Sequence, residues 1–285
     1  IVVITNRNRQ CLLCLVLLYH KSIEVMLDLS RKKIKIVDLF AGIGGFHYGI
    51  AASAARLNMG VKPLMVSEIE PSCQLTYASN HRCEVQGDVN ALDLSGVDEV
   101  ADIVTAGFPC QPFSHAGLKK GFDDTRGTLF FDVARIIKNK RPSLALLENV
   151  KGFKNHDGGR TFKTIVEVLD EIGYDVFTQV LNASDFGLPQ NRERIYIVCV
   201  SRQKVKKRDF VFPKPTKRKT RVGDILESST DKKYVLSNKL WSGHKRRLRE
   251  HRAKGNGFGY SLFTPNSTRT STISARYYKD GSEVL

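Results

Sequence analysis

From Lys33 onward, apolar β-branched runs alternate with stretches of helical spacing. "KIKIVDLF" predicts a first strand, and "GGFHYGIAASAARL" after it, rich in small residues, predicts a helix. "PLMVSEI" predicts a second strand. "PSCQLTYASN" predicts a helix with Pro71 in its first turn, where the missing N–H is no loss. "QGDV" marks the end of a third strand, and "ADIVTAGF" reads as another. "TLFFDVARIIKNK" has apolar residues at helical spacing and closes on basic ones. "SLALLENV" is an almost wholly apolar strand, and "RTFKTIVEVLDEIG" is a helix ended by Gly173. "YDVFTQVL" and "RIYIVCVS" complete the strands. Such alternation predicts βαβ units in an α/β fold: a mostly parallel sheet with helices on both faces. Ligands of such sheets bind at the carboxyl ends of the strands.

After Ser201 the texture changes. "KVKKRDFVFPKPTKRKT" reads as an arm or linker. "SNKLWSGHKRRLREHRAKG" predicts a helix capped by Ser237 and stopped at Gly255, with Leu240, His244 and Leu248 four apart. "KGNGFGYSLF" and "TSTISARYYKDG" read as short strands and turns. Three segments follow: an N-terminal extension over 1–30, a catalytic body over 31–201 and a basic region over 202–285.

Charge sharpens that division. The 285 residues carry a net charge of +16. Residues 201–254 hold 19 Lys/Arg against 5 Asp/Glu, so +14 of the excess lies there. A near-neutral body joined to a strongly basic segment points to a polyanionic partner, nucleic acid or an anionic surface. The six cysteines show no dense disulfide framework, which suits a reducing cytosol. Cys11 and Cys14 form a C-x-x-C without a second ligand pair, so no metal is expected. "CLLCLVLLY" is too short to span a membrane, which takes about 20 apolar residues. Met26 reads like a natural start, so residues 1–25 are expected to be a poorly structured extension or translated upstream sequence.

Chemistry concentrates at the predicted strand ends. "DLFAGIGGF" (residues 38–46) joins the first strand to the first helix through a glycine turn, which lets a ligand approach the backbone and helix amides. A purely structural turn explains it equally well, since the G-x-G-x-x-G fingerprint fails at His47. Glu68 ends the second strand, where a carboxylate can accept ribose hydroxyls. Asp88 ends the third, where it can accept from an adenine amino group. Together the three favour an adenosine-containing cofactor. Cys110 stands at a strand end between Pro109 and Pro112, and a glycine-punctuated loop follows it. A lone cysteine is usually a core residue, but a rigidly held thiol beside a glycine-punctuated loop of a kind that can close over substrate suits a nucleophile. Glu148 ends an apolar strand, where a carboxylate needs a task or a partner. Low dielectric there would raise its pKa and suit it to donate a proton. Arg192 and Arg194, at alternate positions, point to one side, to hold a carboxylate, a base carbonyl or a phosphate, or to form a surface ion-pair ladder.

Taken together, "DLFAGIGGF", "PCQPFS", "ENV" and "QNRER" resemble, in order and spacing, motifs of the cytosine-5 DNA methyltransferase family, bacterial restriction–modification type. "GFDDTRGTLFFDVARI" resembles its active-site loop and following helix. The resemblance implies a Rossmann-like adenosylmethionine-dependent sheet and a smaller target-recognition region. It implies S-adenosylmethionine as cofactor, held by Asp38, Phe40, Gly42, Ile43, Gly44, Gly45, Glu68, Ile69, Asp88, Val89, Pro109 and Leu129. It implies catalysis by Cys110, Glu148, Arg192 and Arg194 on a cytosine flipped out of double-stranded DNA. Gln111, Ser114 and Asn149 would face the DNA side, and Thr272-Ile273 resembles the recognition region's threonine-plus-aliphatic pair. A tRNA-modifying relative, or a DNA-binding but inactive chain, fits the same motifs. Two later family motifs are not found before Leu285, so the chain is expected to be either a fragment or the partner of a second polypeptide that supplies them, in a cytoplasmic, membrane-free setting.

Overall fold

The computed structural model describes residues 26–27, 30–94, 99–109, 129–216, 218–229, 231, 235–257, 259–272 and, as backbone, 283–284. The expectations for Cys110, Gln111, Ser114, Ile273, the Cys11–Cys14 pair and residues 1–25 lie outside the described residues.

The chain divides into two compact units. The first gathers the described residues of 26–181 and Glu193–Lys214 around one sheet. Its strands are β1 (Lys33–Leu39), β2 (Gly60–Ser67), β3 (Ile103–Ala106), β4 (Leu144–Val150), β5 (Tyr174–Asn182) and β6 (Glu193–Ser201), in the order β2-β1-β3-β4-β6-β5. Helix α1 (Gly45–Arg56) follows β1, α2 (Pro71–His81) follows β2, α3 (Leu129–Lys140) precedes β4, and α4 (Arg160–Glu171) precedes β5. β1 is parallel to β2 and β3, and β3 to β4. Strands covered on both faces need apolar residues at every position, and β1 buries Ile36, Val37 and Leu39. β2 lies at the sheet edge, where Pro63 costs no inner-strand hydrogen bond; the β1–β2 register shifts next to it. The larger core joins Val104, Ala106 and Leu147 to Val133, Ile136 and Ile137 of α3 and to Ile165 and Leu169 of α4. Tyr77 of α2 belongs to a separate cluster with Ala41 and Val66.

One departure from the expected topology, and one exception within its mostly parallel sheet, have local causes. The third strand ending at Asp88 is only a single bridge, Ser67 to Gln86. "EVQGD" offers one apolar residue and a glycine, too little for a ladder, and Asp88 instead accepts the Asn90 amide at 3.0 Å to cap a three-residue 3-10 turn. The sheet is mostly parallel, as expected, with β6 as the exception, antiparallel to β4. The connection from β5 is short and lacks the long crossover helix that parallel pairing needs.

The second unit gathers Asn182–Arg192 with the described residues from Pro215 onward. Its two segments are laced by backbone bonds: Asn191 donates to Thr270 at 2.8 Å, and Thr270 donates to Pro189 at 2.9 Å. Helix α5 (Asn238–Ala253) starts as the sequence predicts, with Ser237 Oγ accepting the Leu240 amide at 3.3 Å. Of its expected apolar positions His244 is buried, whereas Leu240 is 57% exposed. β7 (Ser261–Leu262) pairs with β8 (Glu283–Val284). Residues 202–214, part of the basic run, pack in the first unit, where Val205 and Phe210 are buried and Phe210 meets Phe177 edge-on at 5.7 Å. No helix among the described residues is long and apolar enough to cross a membrane.

Candidate active site

The carboxyl ends of β1 and β2 build the first half of the site. After β1 the backbone turns through left-handed Phe40 (φ 51°), Gly42 (φ 54°) and Gly44 (φ 93°), and Gly45 opens α1. The Gly42 amide donates to Glu68 Oε2 at 2.7 Å, and the Glu70 amide donates to Oε1 at 2.9 Å. Glu68 is therefore aimed by two backbone groups. Each of its oxygens offers two acceptor positions, so each keeps one for a hydroxyl. A Cβ on Gly42 would meet nothing within 4 Å, so the turn is open above it. Ile43 and Ile69 are 57% and 70% exposed, unusual for isoleucine. An oriented carboxylate, open glycine backbone and two exposed apolar side chains fit the ribose and base of an adenosine cofactor. Asp88 is exposed beside its 3-10 turn, Pro109 is exposed after β3, and Leu129 is half-buried at the start of α3.

Two residues expected to touch that cofactor are placed otherwise. Asp38 is completely buried, accepting from Thr105 Oγ1 at 2.6 Å and Tyr77 Oη at 3.0 Å. Burial pushes its carboxyl up to about 7, against the lowering effect of these two hydrogen bonds. Val89 is 2% exposed, within the larger core, because the 3-10 turn folds it inward under Asp88.

The second half lies at the end of β4. Antiparallel pairing sets Val150 opposite Arg194 and Glu148 opposite Tyr196. Glu148 and Arg194 are thus diagonal neighbours on one face, and Arg194 Nε lies 3.0 Å from Glu148 Oε1. The carboxylate at the end of this apolar strand has a partner, as its burial requires. Arg194 Nη1 also donates to the Glu193 carbonyl at 2.8 Å, and Glu193 pairs with Lys151 at 2.9 Å. Gly107, after β3, comes close: a Cβ there would stand 3.9 Å from Glu148 Oε2 and 3.8 Å from the Phe40 carbonyl. Asn149 points to the opposite face of β4. It is buried, donates to the Phe108 carbonyl at 3.0 Å and accepts the Val150 amide at 2.8 Å. Its expected place on the DNA side is corrected: Asn149 anchors the backbone leading to Pro109. Arg192 falls just before β6, in the second unit, and does not share the strand of Arg194. Thr272, in the same unit as Arg192, donates from Oγ1 to the Asn191 carbonyl at 2.6 Å. Among the described residues no cluster of three or more ligands could hold a metal.

The family model for C-5 cytosine-specific DNA methylase matches residues 34–285. The chain belongs to the C-5 cytosine-specific DNA methylase family. It is 54% identical over 254 residues to the Type II methyltransferase M1.ScrFI of Lactococcus lactis subsp. cremoris, covering 89% of this chain and 64% of that protein. It is 54% identical to M.NlaX of Neisseria lactamica (88% and 78%) and 52% identical to M.SsoII of Shigella sonnei (89% and 65%). The chain thus spans less than two thirds of the Lactococcus and Shigella relatives. Among solved structures, the Entamoeba histolytica methyltransferase EhMeth superposes with a TM-score of 0.65 at 18% identity, covering 88% of this chain and 75% of that one. S. pombe Dnmt2 superposes with a TM-score of 0.60 at 21% identity, covering 87% and 73%. These likenesses carry the Rossmann-like α/β fold.

Within this candidate site, sequence reasoning misses the residues beneath the glycine turn. Tyr77 Oη lies 2.9 Å from His47 Nδ1, and the rings of His47 and His81 stack at 3.9 Å. Burial lowers both histidines to about 4, His47 also through its neighbour His81. The spacing of Tyr77 and His81, one helical turn apart on α2, is the signal that could have found them.

Proposed function

We propose that this chain carries the catalytic body and part of the DNA-reading region of a DNA (cytosine-5) methyltransferase. The observation that carries the reading is the Glu148–Arg194 ion pair, held beside Gly107 at the strand ends, three residues before Cys110. S-adenosylmethionine, when bound, supplies the methyl group. Glu68, Phe40, Ile43, Ile69 and the backbone of Gly42, Gly44 and Gly45 would hold it, with Asp88, Pro109 and Leu129 at its borders. The target cytosine must leave the duplex, since its ring cannot be attacked within the stack. The Cys110 thiolate adds to ring carbon 6. Glu148, oriented by Arg194 and carrying a proton when it acts, gives that proton to ring nitrogen 3, so no negative charge builds on the ring. Carbon 5 becomes nucleophilic and is methylated. A base then takes the carbon-5 proton, and the electron pair left behind re-forms the ring double bond and expels the Cys110 thiolate. Arg192 is assigned to the base carbonyl or a nearby phosphate. Gln111, Ser114, Thr272 and Ile273 are assigned to the DNA side.

Duplex DNA containing 5-fluorocytosine, which lacks a removable carbon-5 proton, should become covalently trapped by the chain in the presence of cofactor. Cys110→Ala should abolish trapping, and trapping that survives it would overturn the assignment. The relatives are longer than this chain, so the assay is run alone and with the remaining portion of the Lactococcus relative added as a separate polypeptide. Trapping only in the mixture would show that the chemistry needs residues of the kind the longer relatives carry, whether in one polypeptide or two. Trapping of RNA but not DNA would replace the substrate class.

A further inference from the structure

We propose that the buried chain Thr105–Asp38–Tyr77–His47, with His81 stacked on His47, is a hub that positions the glycine turn and the Glu68 strand end for the cofactor. Tyr77 and Asp38 are then positioning residues, and the inference rests on the cofactor reading above.

The hub joins four elements around that half of the site: β1, β3, α1 and α2. Asp38 closes β1 just before the glycine turn, and β1–β3 pairing sets it opposite Thr105. Tyr77 comes from α2, whose first turn follows Glu68 and Ile69. His47 stands on α1, three residues beyond Gly44. The hydroxyl of Tyr77 has one hydrogen, and it donates that hydrogen to Asp38 Oδ2. At His47 it must therefore accept, which fixes the proton of neutral His47 on Nδ1. Three elements are thus linked through one phenol, with Thr105 securing Asp38 from the fourth.

The hub also shapes the turn directly. A Cβ on Gly44 would stand 2.2 Å from Nε2 of His81 and 3.2 Å from the Tyr77 ring. Gly44 is bare because the histidine ring fills that space, not to admit a ligand. The floor of the turn is therefore His81, itself held by stacking on His47 and by Tyr77 at 4.7 Å. From the side, the same turn is pinned by the Gly42–Glu68 bond. Both contacts depend on where α2 lies relative to β1, and the Tyr77–Asp38 bond sets that distance.

The hub tolerates either charge state of Asp38. With Asp38 ionised, Thr105 donates to Oδ1. With Asp38 protonated on Oδ1, it donates to Thr105 Oγ1, whose hydrogen turns to the Val37 carbonyl at 3.4 Å. Oδ2 accepts from Tyr77 in both cases. Glu68 after β2 raises the carboxyl further, and the Cys83 thiol is a further titratable neighbour among the described residues. Position, rather than proton transfer, is what such an arrangement conserves.

Tyr77→Phe removes one hydroxyl and leaves the ring. Hydrogen exchange of the 41–45 backbone, measured without cofactor, should quicken in this variant. The dissociation constant for S-adenosylmethionine should rise about tenfold, the worth of one buried hydrogen bond, with DNA affinity unchanged. A general loss of stability would weaken both ligands alike, so the split separates positioning from folding. Should Tyr77→Phe not fold, Thr105→Val tests the opposite end of the hub in the same two measurements. Unchanged exchange together with unchanged cofactor affinity would overturn the hub. A wild-type chain that does not bind S-adenosylmethionine would instead overturn the cofactor reading, while the exchange data would still decide whether the hub sets the turn.

Discussion

At the scale of single residues, the site is governed by what lies beneath it. Asp38 is visible in the sequence as an acid at a strand end, and such acids ordinarily face ligand or solvent. Nothing local says that Tyr77 and Thr105, 39 and 67 positions away, will enclose it. The glycine turn is equally legible, but the reason for Gly44 is not, because it is a histidine from another helix. Gly44→Ala should therefore destabilise the protein strongly. The left-handed backbone alone costs a Cβ-bearing residue about 1–2 kcal/mol, and the contact with His81 adds to it. Removing that ring in the double variant with His81→Ala should restore the clash portion and not the backbone portion, as read by urea denaturation. The neutral histidines also give a signed pH effect. Their folded pKa values, about 4, lie below the ordinary 6.5, so between those limits the unfolded chain binds more protons and stability rises with pH. Asp38, raised from 3.8 to about 7, opposes this, losing stability as pH rises through its window. His81→Phe, which keeps a stacked ring, should flatten the rise between about pH 4 and 6.5; an unaltered slope of urea midpoint against pH would contradict the neutral assignment.

At the scale of elements, period and composition place the strands and helices well, because buried parallel strands are nearly all apolar. What the pattern does not carry is partner choice. The antiparallel entry of β6 beside β4 follows from the short return from β5, and it is this pairing that brings Arg194 to Glu148. Face alternation on β4 has a second consequence, since Glu148 and Asn149 must point to opposite sides of the sheet. Both belong to one "ENV" motif, which by itself suggests a shared substrate side. Asn149 instead ties the end of β4 to the segment after β3. Asn149→Ala leaves the Phe108 carbonyl unpartnered in a buried place, at a cost of about 1–3 kcal/mol. Covalent trapping at Cys110 should also slow in the folded variant, because Phe108 lies two residues before it. A variant that loses stability but traps at the wild-type rate would confine Asn149 to folding.

At the scale of the whole molecule, charge is the most legible feature and the least tied to a particular fold. The basic run 201–254 looks like one segment in the sequence, yet 202–214 packs in the first unit and the rest in the second. Buried Val205 and Phe210 draw the first stretch onto the sheet unit, a packing signal that the surrounding lysines mask. The α5 helix then carries most of what remains: Lys239, Lys245, Arg246, Arg247, Arg249 and Arg252 against a single Glu250. Only His244 of this helix is buried, and Lys245 lies over the Trp241 ring at 5.0 Å. A helix with so little buried surface and so much positive charge suits contact with phosphates rather than with base edges. Phosphate contacts set affinity and its salt dependence but carry no sequence information. Arg247→Gln with Arg249→Gln should then reduce the slope of log binding constant against log salt by about 0.9 for each phosphate no longer neutralised. The set of methylated sites should not change. Equilibrium titration of duplex DNA at several salt concentrations, followed by mapping of methylated cytosines, separates the outcomes. An unaltered slope would remove α5 from the phosphate contacts, and an altered target sequence would make it a reader of bases.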